Sequence, residues 1–168
     1  SIISRYQDPD GDLGISDEGW EIAAKFLGNA HNIADGEDAV GSVIDGTYPM
    51  DEHWASGVLT EQKDRDYKFQ IMTPDIGEPY VVESLAISAG TKKYDTCVAF
   101  LNWLGSSDAQ LDWSNNYGTI PCQKEALDQV SDDIKELMET LKPQDLDWSF
   151  IAENVDAWVE KAELEYVQ

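Results

Sequence analysis

A chain of 168 residues with 34 acidic and 11 basic side chains carries a formal net charge of −23. Nucleic acids and anionic membrane surfaces need Lys and Arg to displace counterions, so this balance excludes them as partners. Apolar residues make up 42% and six residues are tryptophan, too much core-type surface for a disordered acidic tail, so the chain folds as one domain or two small lobes.

Residues 1–16 are rich in turn formers (Asp8-Pro9-Asp10-Gly11-Asp12) and read as irregular. The opening Ser1-Ile2-Ile3-Ser4-Arg5 lacks the pattern of a signal peptide. Ser16 caps a first helix, with Asp17 and Glu18 in its first turn, Trp20, Ala23, Ala24 and Leu27 on one face, and Gly28 at its end. A short helical segment is expected near 30–35. Ala39–Ile44 is apolar and β-branched, which predicts a buried strand running into the turn Asp45-Gly46-Thr47. Residues 50–62 read as a helix with Trp54, Val58 and Leu59 inward. Phe69 and Ile71 alternate with polar neighbours in a strand that Pro74 ends. A loop follows over Asp75–Pro79, and Tyr80–Ser88 is the clearest strand, interrupted by Glu83 and Ser84.

The second half reads as helical. Cys97, Phe100, Leu101 and Leu104 space a helix over Lys92–Gly105, and Ser106-Ser107-Asp108 caps another that reaches about Asn116. Tyr117–Pro121 is an extended connector. Leu127, Val130, Ile134, Leu137, Met138 and Leu141 line one long helix ended by Pro143. Asp147 caps the last helix, striped by Trp148, Ile151, Val155, Trp158, Val159 and Ala162. The class is α/β with helices in excess. No run of about 18 apolar residues occurs, so no membrane-spanning helix is expected.

Charge is unevenly spread. Residues 1–83 hold 18 acids and 5 bases, residues 84–123 hold 3 and 2, and residues 124–168 hold 13 and 4. A nearly neutral middle between two acidic flanks implies a different environment for that segment.

Catalytic sets are missing. The two histidines, His31 and His53, fall in no metalloprotease pattern, and there is no nucleophile elbow, Walker or Rossmann glycine signature. Carboxylates are so frequent here that a close pair arises by chance, so paired acids do not indicate a glycosidase. Cys97 and Cys122 have no metal-ligand spacing and read either as two free, partly buried thiols or, in an exported protein, as a disulfide. Neither an enzymatic reaction nor a cofactor or metal is indicated.

Four segments, in this order, carry a resemblance. They are Gly36–Gly41 leading into the expected strand; Pro74–Ile87, which ends in Ser-Leu-Ala-Ile; Ala99–Gln110 followed by Tyr117–Pro121; and Asp147–Trp158. Together they resemble the C-terminal half of an extracellular, periplasmic-type solute-binding protein of an ABC importer, over about residues 17–165. The branch it is similar to takes up ferric iron, phosphonates, phosphorylated sugars, thiamine or polyamines.

The resemblance implies a type II binding-protein fold, in which two α/β lobes joined by crossing strands trap solute between them. Residues 1–83 would then be most of lobe two, 84–118 the crossover with a lobe-one segment, and 119–168 the helices closing back on lobe two. The neutral middle coincides with the crossover. Nearly all of the first lobe would lie upstream, in the full-length protein. The implied partners are a small-molecule or ion ligand and a membrane permease, in an extracellular or periplasmic location. A rival expectation is a truncated stand-alone interaction or dimerisation domain.

Family positions for ligand contacts fall on Asp45, Gly46, Thr47 and Tyr48, then on Tyr80, Glu83 and Ser84. Ferric-binding members carry two adjacent tyrosines where this chain reads Asp45-Gly46-Thr47-Tyr48, which disfavours a tyrosine-clamped iron. Glu83 lies where the polyamine type places an acid, with Val81 where that type has an aromatic ring. Thr47 and Ser84 offer hydroxyls to a phosphonate or phosphate, but the chain contains only two arginines, Arg5 and Arg65.

Overall fold

A computed structural model describes residues 1–167 as two compact units. The first joins Ser1–Glu37 to the C-terminal segment that starts at Gln144, and the second is the continuous stretch Asp38–Pro143.

In the first unit, a 3-10 turn at Ile3–Arg5 leads into strand β1, Gln7–Asp12, in the stretch expected to be irregular. The chain reverses through Leu13 and Gly14, both at positive φ (51° and 75°), so that the Ser16 N–H reaches the Tyr6 carbonyl at 2.8 Å. Helix α1, Asp17–Gly28, starts as the sequence predicts, with the Gly19 N–H donating to Ser16 Oγ. The final helix of the chain, α8, is Trp148–Glu165, and the Phe150 N–H donates to its Asp147 cap at 3.0 Å. Ile15, Trp20, Ala23 and Trp158 form the buried core, flanked by Ile3, Tyr6, Phe150, Ile151 and Tyr166. Each core tryptophan also spends its indole N–H on the β1 turn: Trp20 donates to the Asp12 carbonyl at 2.9 Å and Trp158 to that of Leu13 at 3.0 Å. A Cβ on Gly19 would lie 2.6 Å from Ile15 Cγ2 and 2.7 Å from Tyr6 Cβ, so only glycine lets α1 sit this close.

Residues 30–34 are not helical. The Glu37 carboxylate instead accepts the Ala34 N–H at 3.0 Å and pairs with His31 Nε2 at 2.9 Å, closing the segment into a loop.

The second unit contains six helices among the described residues: α2 Ala39–Ile44, α3 Ala55–Arg65, α4 Tyr94–Leu104, α5 Ser107–Tyr117, α6 Lys124–Leu127 and α7 Asp132–Thr140. Its interior is Ala109, Ala126, Val130, Ile134 and Leu137. Helix α5 packs against α3, α4 and α6. Gly118, at φ 66°, ends α5 so close to α3 that a Cβ would lie 2.7 Å from the Ser56 carbonyl oxygen. Gln110 staples the neighbouring turns, donating to the Leu104 carbonyl and accepting the Cys122 N–H. The two thiols are free, Cys97 half-buried and Cys122 exposed.

Four expectations differ here. Ala39–Ile44 is a helix and not a strand, because the Asp38 carboxylate caps it through the Gly41 N–H at 3.0 Å and no neighbouring strand offers a ladder. Residues 69–71 and 80–88 have no regular structure; β1 is the one named strand among the described residues. Their apolar pattern suits a sheet, but a strand forms only where a second one pairs with it. Trp54 is the N-cap of α3 and is exposed. The single helix expected over 127–141 is two, because Ser131 turns extended (ψ 161°) and starts α7 afresh with Asp132 and Asp133 in its first turn.

Candidate ligand-binding site

All seven expected contact positions lie in the second unit. Helix α2 positions the first four. Arg65, at the end of α3, donates from Nη1 and Nη2 to the two Asp38 carboxylate oxygens at 2.8 Å each, while its Nε bonds Glu61. The guanidinium and, after it, the Gly41 N–H hold the Asp38 carboxyl below its usual range. This fork pins the start of α2, and the candidate turn follows at the other end.

In that turn Asp45 caps α2 and its carboxylate accepts the Thr47 N–H at 2.9 Å, with Gly46 at φ 83°. Hydrogen bonding from the Thr47 side chain and then its backbone N–H holds the Asp45 carboxyl low, so it is ionised at neutral pH. The Tyr48 N–H returns to the Ser42 carbonyl at 3.0 Å, and its ring is half-buried. Asp45, Thr47 and Tyr48 are therefore one closed turn.

Tyr80 belongs to a second loop. Gly77, at φ 82°, closes a turn onto the Pro74 carbonyl at 2.9 Å. The Glu78 N–H then donates to the Lys142 carbonyl at 2.7 Å, and Glu78 bridges in parallel to Pro143. Half-buried Tyr80 has its phenol pushed up, first by burial and then by the charge of Glu78. Glu83 and Ser84 are exposed on the irregular stretch beyond.

Sequence reasoning passed over Glu78. Both of its carboxylate oxygens are shielded from solvent and meet no donor. A lone glutamate in an acid-rich chain gives little signal; its place between Gly77 and Pro79 was the one available sign. Two open concavities, of about 480 and 390 Å³, lie in the first unit. One is lined by Arg5 and Asp145–Asp147 and the other by Trp20, Lys161 and Tyr166, so neither includes an expected contact residue.

Residues 3–142 match the model of a family described as bacterial extracellular solute-binding protein. The chain belongs to that family. The chain is also 32% identical, over 167 residues, to a probable ABC transporter periplasmic-binding protein from Sinorhizobium fredii. The alignment covers 99% of this chain and 46% of that relative, so the chain spans a little under half its length. No solved structure matches the chain. A helix-rich architecture is compatible with the binding-protein fold, and no helix among the described residues is long and apolar enough to cross a membrane.

Proposed function

We propose that this chain is the C-terminal part of the substrate-binding component of an ABC importer, and that it captures a small solute outside the cytoplasmic membrane without chemical conversion. The observation that carries the reading is the family match, together with near-complete alignment to a relative described as an ABC transporter periplasmic-binding protein. Residues 1–83 and 119–168 form lobe two, and 84–118 cross to a first lobe supplied by upstream chain. Exposed apolar side chains at Val82, Leu85, Tyr94, Phe100 and Trp103, in or beside the charge-poor segment, support that division, since such a surface suits contact with further protein. Closure of the lobes traps the solute and presents the closed form to a membrane permease.

Asp45, Thr47, Tyr48, Tyr80, Glu83 and Ser84 supply the contacts from this side. Arg65 is committed to Asp38 and Glu61, which takes one of the two arginines away from any phosphate or phosphonate. The test is thermal melting against ferric iron with and without phosphate, aminoethylphosphonate, hexose phosphates, thiamine and spermidine. A solute at 100 times its dissociation constant adds about 2.7 kcal/mol, a rise of roughly 5–10 °C for a chain of this size. A rise with one class names the cargo. Absence of any rise, both in this chain and in the chain joined to its upstream half, refutes the reading.

A further inference from the structure

Charge is divided unequally between the two units. The first holds 15 acids and 3 bases over 62 residues and the second 19 and 8 over 106, so the smaller unit carries −12 against −11 and nearly twice the charge per residue. Its three bases are Arg5, Lys25 and Lys161. Lys161 is committed to Asp12 at 3.1 Å and Glu165 at 2.7 Å and stands over the Trp20 and Tyr166 rings, while Lys25 meets Glu21 at 3.7 Å. On α8, Glu153, Asp156, Glu160 and Glu163 recur at three- and four-residue steps, which puts all four on one face. All four are exposed, and none pairs with a base among the described residues.

What opposes this repulsion is modest. The buried core of the first unit is Ile15, Trp20, Ala23 and Trp158, and a folded body of about 60 residues is marginal even without excess charge. Helices α1 and α8 belong to parts of the chain separated by the whole of Asp38–Pro143, so bringing them together also costs loop entropy. Neighbouring acids on a helix face stand about 5–6 Å apart at Cβ and repel one another. The screening length is about 10 Å at 0.1 M salt, longer than that spacing, and about 3 Å at 1 M, shorter than it. Salt therefore removes a repulsion that the protein's own bases leave in place. We propose that ionic strength switches the first unit, which is closed at high salt and opens at low salt by release of α8 from β1 and α1, while the second unit stays folded. The mobile cation atmosphere does this by screening, with no ion held at a fixed place. The proposal stands apart from the transport reading, which requires neither outcome.

The experiment is hydrogen exchange of the 168-residue chain, read peptide by peptide by mass spectrometry. Sodium chloride at about 0.05 M is compared with sodium chloride and potassium chloride at about 1 M. Amides of α1 and α8 should gain on the order of tenfold protection at high concentration of either salt, and those of α5 and α7 less than about threefold. Replacing the stripe by Glu153→Gln, Asp156→Asn, Glu160→Gln and Glu163→Gln together should give α1 and α8 most of that protection already at low salt. That quadruple variant should also melt roughly 5 °C above wild type at low salt. Asp156→Lys alone, which sets a base between Glu153 and Glu160, should move both readouts the same way by a smaller amount. Equal protection of α1 and α8 at low and high salt overturns the proposal. So does an equal gain in both units, or a gain in the quadruple variant as large as in wild type, either of which marks a general salting effect and not relief of this repulsion. A response to sodium but not to potassium overturns it as well, since screening does not distinguish them.

Discussion

Trp158 is one of the four buried residues at the core of the first unit. It is 6% exposed, meets the Phe150 ring edge-on at 5.3 Å between centroids, and donates its indole N–H to the Leu13 carbonyl. Truncation to alanine removes about 200 Å² of buried aromatic surface, or about 5 kcal/mol at 25 cal/mol per Å². Partial collapse of the site brings the expected loss to about 3–5 kcal/mol. Trp158→Phe keeps most of the ring and leaves the Leu13 carbonyl without its donor, for a loss of about 1–2 kcal/mol. The assay is urea unfolding followed by far-UV circular dichroism, which avoids losing the fluorescence signal with the tryptophan. With a slope of about 2 kcal/mol per molar urea, Trp158→Ala moves the midpoint down by about 2 M and Trp158→Phe by less than 1 M. A Trp158→Ala midpoint within about 0.3 M of wild type would refute the seating of Trp158 in this core. Equal damage from both variants would refute the view that packing outweighs the hydrogen bond.

Other variants probe the joints. Gly19→Ala forces a methyl against Ile15 and Tyr6 and should cost about 1–3 kcal/mol in the same urea assay, while Gly28→Ala, whose Cβ meets nothing, should cost no stability. Arg65→Met should return the Asp38 carboxyl toward its ordinary value of 3.8, read by carboxyl NMR titration. Because Asp38 and Asp45 titrate lower folded than unfolded, their stabilisation is present above about pH 4 and is lost as pH falls through their folded values. Melting scans from pH 6 to 2 should therefore show a smaller acid loss in Arg65→Met. Lys161 has the opposite sign: Glu165 and Asp12 raise it, so its contribution is complete below 10.5 and fades only above that. Lys161→Met should accordingly melt lower than wild type at pH 8, with the gap narrowing as the pH is taken above 10.5.

Helices were legible in the sequence where their signals are local. Ser16, Ser106 and Asp147 each accept the N–H three residues on, so a cap three residues ahead of its partner marks α1, α5 and α8 without knowledge of the rest of the fold. The same kind of signal was present and outweighed at α2, where Asp38 caps the helix but Val40, Val43 and Ile44 look like strand formers. Ser131 before two aspartates likewise marks the break between α6 and α7. Strands at 69–71 and 80–88 depend on partners remote in sequence, and no local pattern reports whether a partner is present. Among the candidate site residues, the Asp45–Thr47 turn was readable from its Asp-Gly-Thr string. The isolation of Glu78 was not, because it arises from a backbone contact with Lys142, far along the chain.

The first unit is assembled from the two ends of the chain, Ser1–Glu37 and the segment from Gln144 on, around an uninterrupted second unit. This sets an order of events during synthesis. Asp38–Pro143 has all its own contacts once it leaves the ribosome, whereas Ile15 and Trp20 wait uncovered until α8 emerges with Trp158. A second unit already folded shortens the effective loop that joins the two ends and lowers the entropy of closing it. Chains that stall before Trp148 carry a finished second unit and an open first one, which gives quality-control proteases a defined place to cut.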